Sequence, residues 1–312
     1  MTFTIEGGAA CATGDKGTFT SAYTYVPSPP FAAATAVGQA AFGRGGCGWT
    51  GRIGLFQEKP DIVPGWVDFW GIFVRRQEFG KDSFRTSGTA SPKYGLFTFI
   101  NSKGAFDEDR TVVDFEVGKN LGIGSGGAKV RLFGGIRYAN YSNSLRASGT
   151  AGSYCAYCKY IAYPFSARSK SNFDGVGPRL GLTGDMPLFG PFFLTGSVSG
   201  SLLWGDHQVR LKSSGFYPGG RSKFSDSGTV TNAEGELGVG MPFFVTGGTL
   251  IFGARWEGWF DQTKFKHYDL DVIFDCGCFG LTGDFNGKGT LDRNNWGPFV
   301  RLNIPLGPAP PP

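Results

Sequence analysis

Charged residues recur at every second position inside apolar stretches of this 312-residue chain. That spacing puts them on one face of a β-strand, with the apolar residues on the other. Asp114 and Glu116 sit this way in VVDFEVGKNLG, and Lys129, Arg131 and Arg137 in KVRLFGGIRYA. Arg179 does so in FDGVGPRLGLTG, Glu234 and Glu236 in NAEGELGVGM, Arg255 and Glu257 in LIFGARWEGWF, and Arg301 in WGPFVRLNIPL. Arg52 belongs to a further alternating stretch at 48–58. Guanidinium and carboxylate groups that face one another across a narrow space can either carry ions through it or pair and close it.

Six cysteines offer a second chemistry. Cys11 and Cys47 bracket a long connection, Cys155 and Cys158 form a CxxC, and Cys276 and Cys278 form a CxC. An even count in an oxidising compartment reads as disulfides, expected as Cys11 to Cys47, with each close pair bridged within itself or to the other close pair. Four thiolates could instead hold zinc, but CxC spacing and extracellular exposure speak against it. No metal is expected.

Catalysis has little to work with. The two histidines, His207 and His267, fall in expected loops, and only His267, in HYDLD beside Asp269 and Asp271, has acids near it for water activation. No nucleophile motif accompanies them, so we expect no enzyme, no catalytic residues and no cofactor. GIGSGG, with Gly122, Gly124 and Gly127, spells G-x-G-x-x-G but precedes an alternating strand rather than a helix, and reads as a tight turn. DFNGKGTLDRNN, from Asp284 to Asn295, resembles a calcium loop in which Lys288 and Asn295 replace needed ligands, which leaves a glycine-rich surface loop as the expectation.

The elements that must position these residues are strands. Fifty-two glycines argue against helices, and 15% aromatic residues argue against disorder. No run approaches the roughly 18 apolar residues of a membrane helix. A net charge of +5, with lysine and arginine interleaved among acids, excludes a basic nucleic-acid surface. The opening MTFTIEGGAACATG has neither the basic nor the apolar region of a signal peptide, so none is expected in this chain.

Alternation predicts ten strands, near 2–10, 48–58, 65–79, 110–122, 128–141, 172–184, 191–205, 230–241, 249–260 and 295–306. Their connections alternate between short and long, the long ones near 11–47, 80–109, 142–171, 206–229 and 261–294. A soluble sandwich has no reason to segregate its loops to one end. An outer-membrane barrel does. The expected fold is all-β: a transmembrane antiparallel up-and-down β-barrel of about ten strands over 1–306, with short periplasmic turns, long extracellular loops, and a Pro-rich tail at 307–312. In this reading Pro178 sits at a bulge or strand end, and Trp66, Trp70, Trp204, Trp256, Trp259 and Trp296 lie near strand ends as interface girdles do. WVDFWGIFVRR is apolar on both faces, which leaves a homo-oligomer contact open there.

TVVDFEVGKNLGIG, VRLFGGIRYANY, FDGVGPRLGL and GSVSGSLLWGD resemble, in order, the strand signatures of the Legionella-type major outer membrane protein family, described as pore-forming. The resemblance covers 110–206 and implies a bacterial outer-membrane location with lipid as the surrounding partner. This chain departs from the family's terminal aromatic strand by running past Leu306 into GPAPPP, a stiff tail expected outside the barrel and free to meet a periplasmic or cell-wall partner. The expected function is passive passage of small hydrophilic solutes or ions. Arg52, Lys129, Arg131, Arg137, Arg179, Arg255 and Arg301 would outnumber Asp114, Glu116, Glu234, Glu236 and Glu257 along the pore and give weak anion preference. The alternative is a plugged structural or surface-interaction barrel whose disulfide-clasped loops carry the function, because barrels near eight strands have side-chain-filled interiors.

Overall fold

The computed structural model describes residues 1–14, 17–26, 33–42, 46–58, 67–90, 97–121, 127–155, 158–214, 221–243, 247–275 and 278–306. Twelve strands appear among them: β1 (Thr2–Gly14), β2 (Gly17–Val26), β3 (Ala33–Phe42), β4 (Cys47–Glu58), β5 (Phe69–Ala90), β6 (Phe97–Leu121), β7 (Lys129–Cys155), β8 (Cys158–Pro187), β9 (Phe193–Ser214), β10 (Arg221–Phe243), β11 (Gly248–Asp275) and β12 (Cys278–Pro305). Ten of them close a ring. The strands β4 to β12 pair antiparallel in sequence order, β10 meets β11, and β1 lies between β4 and β12. The hairpin β2–β3 stands outside that ring, touching it where Tyr23 and Thr24 pair parallel with Asp271 and Val272 of β11.

The ten expected strands are the lower parts of these ring strands. What the sequence suggested as loops at 80–109, 142–171, 206–229 and 261–294 is largely strand, because the hairpins continue as paired ribbons beyond the ring's apolar band. Above the apolar band the outer face turns polar while inward residues such as Phe106, Phe165, Val209 and Leu211 stay buried, so the lipid-facing alternation that had marked the strands no longer holds. Bulges sit in the extensions, between Phe79 and Asp82 and between Trp259 and Thr263, the latter with Asp261 at φ 57°.

Outward positions form a belt of exposed apolar side chains that includes Ile53, Ile72, Phe115, Ile136, Val176, Leu180, Val198, Leu237, Phe252 and Val300. Toward the long-hairpin end the belt finishes in Trp49, Tyr138, Trp204, Trp256 and Trp296, all exposed. This is the lipid face and aromatic girdle of a membrane barrel. Trp70 is half-exposed on the same outer face, and Trp66 lies outside the described residues. Trp259 does not join the girdle: it points inward and is buried.

The stretch FDGVGPRLGLTG shows how the inner wall is made. Val176, Pro178, Leu180 and Leu182 are exposed outside, whereas Gly175, Gly177, Arg179 and Gly181 are buried inside. Side chains at these glycines would strike neighbours: Gly175 faces the Phe173 ring, and a Cβ on Gly177 would collide with the Leu202 carbonyl. Pro178 is at neither a bulge nor a strand end. It sits mid-strand opposite Ile136, and the ladder to β9 omits the pairs at Gly177 and Pro178 while keeping its register between Val176↔Trp204 and Arg179↔Ser201. The missing proline donor costs one stretch of ladder rather than a shift of register.

The disulfide between Cys11 and Cys47 joins paired residues of β1 and β4 and closes the first long connection. Cys155 and Cys158 are paired at the tip of β7–β8, just past a register shift after Ser153. Their side chains and that of Cys278 are not described, and Cys276 lies outside the described residues. The GIGSGG turn is outside them except for Gly127, at φ 76°, and so is the Pro-rich tail. Residues Asp284 to Asn295, suggested as a loop, are extended strand in β12 paired with β11, a backbone that cannot wrap a calcium ion.

Candidate functional site

Inside the barrel, charged side chains from different strands meet in successive layers. The end bearing the short turns opens into a cavity of about 480 Å³ lined by Arg52, Glu58, Glu116, Arg131, Arg179, Asp185, Glu236 and Arg301 among others. Arg131 pairs with Asp185 at 2.7 Å near its mouth. Lys129 was expected on this wall, but as the first residue of β7 it is exposed at the rim and does not line the cavity.

The floor of the cavity is a ring of ion pairs. Arg255 reaches Glu6 at 2.7 Å and Glu236 at 2.6 Å, Arg301 reaches Glu6 at 2.7 Å, and Arg52 stands 3.5 Å from Glu236. Arg52 also stacks on the Phe73 ring, 4.2 Å from its centroid.

Beyond that ring, Glu234 of β10 gathers arginines from across the lumen. Arg75 of β5 lies 2.6 Å away, Arg137 of β7 also 2.6 Å, and Arg179 of β8 3.2 Å. Arg137 is completed by a fork of bonds to Asp114, donated from Nε at 2.6 Å and Nη2 at 2.9 Å, and by Asn232. Arg179 pairs with Glu116 and donates to Ser199 at 2.9 Å. Such forked, charge-assisted contacts are the strong ones. The Arg137–Asp114 fork joins adjacent β7 and β6, while the contacts of Glu234 and the Arg179–Glu116 pair brace strands that are not neighbours in the sheet.

A third layer turns apolar. Glu257 accepts from Gln77 at 3.1 Å and sits 3.4 Å from Arg110, whose guanidinium carbon lies 4.3 Å from the centroid of Trp259. Trp259 packs with Val112, Ala139, Tyr141, Phe173, Leu203 and Val230 into a buried cluster across the lumen. Above it, Arg293 pairs with Glu108 at 3.0 Å. Burial disfavours the Arg293 cation, but the Glu108 carboxylate outweighs that and holds its pKa above the ordinary guanidinium value. Arg137, Arg110, Leu203 and Val230 have no solvent-exposed surface, so the lumen is filled at this height.

Of the twelve charged residues expected inside, eleven face the lumen and Lys129 sits at the rim. Several partners escaped sequence reading. Glu6 alternates with Ile5 in TIEGG and carried the same signal as the others. Arg75 and Gln77 were hidden because both faces of their strand are apolar. Arg110 and Glu108 fell at or beyond the expected strand end. Trp259 is two residues past Glu257 and four past Arg255, so its parity alone would have put it inside.

His207, suggested as a solvated loop residue, is fully buried in β9, its ring 4.7 Å from that of Phe173. It faces the lumen because the strand runs on past residue 205. His267, Asp269 and Asp271 lie on the β11 extension, with side chains outside the described set.

The sequence matches the family model described as Legionella pneumophila major outer membrane protein precursor over residues 81–302. The chain belongs to this major outer membrane protein family. Membership and the lipid-facing barrel together put it in the bacterial outer membrane. A search of curated protein sequences finds no match. Among solved structures, the outer membrane protease OmpT of Escherichia coli is similar at 14% identity and a TM-score of 0.50, covering 98% of this chain and 97% of that one. That likeness is one of fold. A Pseudomonas aeruginosa FadL homologue (10% identity, TM-score 0.21, covering 97% and 89%) and the Pseudomonas putida toluene transporter TodX (8%, 0.23, covering 98% and 91%) are more distant barrels.

Proposed function

We propose that this family member is a porin-like passage for small hydrophilic solutes or ions that rests closed at mid-lumen. The observation that carries the reading is the trio of arginines, Arg75, Arg137 and Arg179, converging on Glu234, each also within reach of a second carboxylate. A plug needed only for stability is served as well or better by apolar side chains, since buried ion pairs seldom gain stability over them. Ionisable groups kept inside a membrane protein usually mark a path for ions or substrates. Arginines that can exchange one carboxylate for another can open a hydrated route without leaving a charge unpaired.

Selectivity should be weak. Glu6, Glu108 and Asp185 join the acids inside, and Arg75, Arg110 and Arg293 join the cations in equal number. The small arginine excess among the sequence-derived lumen residues is therefore kept and supports at most a weak anion preference. The burial of His207 against Phe173 supports a packing role for it, and we assign the chain no catalytic step.

Liposome swelling tests the proposal. Vesicles carrying the folded chain should admit a small sugar slowly, and a larger saccharide not at all. Swelling no faster than empty vesicles would favour the second reading, a structural barrel acting through its surface hairpins, for which the buried Trp259 layer is the supporting observation.

A further inference from the structure

The outer face of β7 to β10 carries two rows of cations beyond the aromatic girdle. In the upper row Arg146 pairs across the ladder with Arg168, Arg168 with Lys212, and Lys212 with Arg221. Two residues lower, Ser144, Lys170, Arg210 and Lys223 stand opposite one another in the same way. All seven cations are exposed, and none has a carboxylate partner among the described residues. Like charges placed directly opposite across a ladder are destabilising, so the arrangement calls for an anion from outside the chain.

The adjoining strands β5 and β6 handle their charge differently. There Arg76 is neutralised within the sheet by Asp109 at 2.7 Å and Glu78 at 3.6 Å. The nearest outward acids beneath the cation rows are Asp174 and Asp206, four residues below Lys170 and Arg210, or roughly 14 Å along the strands. Asp174 is already engaged by the Tyr138 hydroxyl at 2.6 Å and Asn140 at 2.8 Å.

Position identifies the anion. Each cation row lies on the same outward parity as Tyr138, Val176 and Trp204, and the apolar belt continues below them through Ile136, Leu180 and Leu202. A ligand whose acyl chains lie on that belt would raise its headgroup toward the rows. The lower row stands six residues above the girdle, roughly 20 Å along strands tilted about 45°. A glycerophospholipid headgroup zone is only about 5–8 Å deep on each side, so its phosphate falls short even when lysine and arginine reach downward.

We infer that this wall binds a glycolipid of the outer leaflet whose saccharide headgroup carries several phosphate or carboxylate groups, with the two cation rows as its anion clamp. The inference is independent of whether the lumen conducts.

Native mass spectrometry of the full chain, folded in detergent and stripped of lipid, tests it with rough lipopolysaccharide as the probe. The wild type should retain it, and R168Q/K170Q/R210Q/K212Q should bind at least about tenfold more weakly, since each cation near an anionic surface adds measurably to attraction. R76Q, on β5 and already neutralised within the sheet, should bind as the wild type does. Heat-modifiable gel migration reports folding. If the fourfold variant does not fold, the pair R146Q/R221Q at the outer columns should still show a partial loss. Equal binding by wild type and folded clamp variants overturns the inference. So does equal retention of phosphatidylglycerol, or full displacement by millimolar inorganic phosphate, which would make the rows a site for any soluble anion.

Discussion

Arg110 lies across the indole of Trp259, 4.3 Å from its centroid, while its Nη1 stands 3.4 Å from Glu257. One side chain thereby belongs to both the ion-pair layer and the apolar layer of the lumen. Neither layer can rearrange without the other, because a guanidinium released from the ring must still find a carboxylate in a desolvated space. The closed state is therefore a cooperative unit rather than a set of separate contacts.

Glu234 is the hub of that unit, so replacing it should be costly. Glu234→Gln leaves Arg75, Arg137 and Arg179 competing for Asp114, Glu116 and Glu257. Breaking a buried pair from one side costs about 3–5 kcal/mol. Urea unfolding in lipid vesicles should show a loss of that order, and the double variant E234Q/R137Q should lose less than the two singles added together. Simple additivity would contradict the shared network.

Backbone approach rather than flexibility explains the inward glycine next to Pro178. Gly177→Ala puts a methyl against the Leu202 carbonyl and should abolish the heat-modifiable folded band or sharply reduce it. Gly7→Ala, whose new methyl would meet nothing within 4 Å, should fold normally. Equal yields for the two would contradict the close packing of β8 on β9.

Lipid exposure of the outer belt gives a third test. Leu180 is 62% exposed and central in the apolar stretch of β8. Leu180→Arg should destabilise the vesicle-inserted barrel by about 2–4 kcal/mol. A detergent-solubilised sample should show much less, because a charge there can reach water.

The bridge between Cys11 and Cys47 spans 36 positions of sequence. By the loop-entropy account, removing such a closure lowers stability by about 3–4 kcal/mol. Cys11→Ser/Cys47→Ser should shift unfolding accordingly, and reductant should bring the wild type to the same midpoint if this bridge dominates the redox response.

Much of the membrane-embedded half was readable from residue parity, since a ring strand facing lipid on one side and a polar lumen on the other must alternate. Asp114 and Glu116, Glu234 and Glu236, and Arg255 and Glu257 all face inward as their spacing requires. Legibility failed where that physical contrast vanishes. Above the girdle the outward positions turn polar while inward ones such as Val209 and Leu211 stay buried, so the lipid-facing pattern is lost and β5 to β12 ran on unseen into regions that resembled loops. In WVDFWGIFVRR the inward Phe69 and Phe73 are as apolar as the outward Trp70 and Ile72, which concealed Arg75 and Gln77. Which carboxylate each arginine chooses depends on geometry across the lumen, between strands far apart in sequence, and no local pattern encodes it.

The most direct test of the resting-closed passage is single-channel recording in a planar bilayer, comparing the wild type with Trp259→Ala. The wild type should show brief, infrequent openings of small conductance and weak ion selectivity. The variant, with the apolar layer removed and Arg110 released from the indole, should open longer and conduct more. Steady large conductance from the wild type would contradict closure at mid-lumen, and silence from both proteins would contradict a passage altogether.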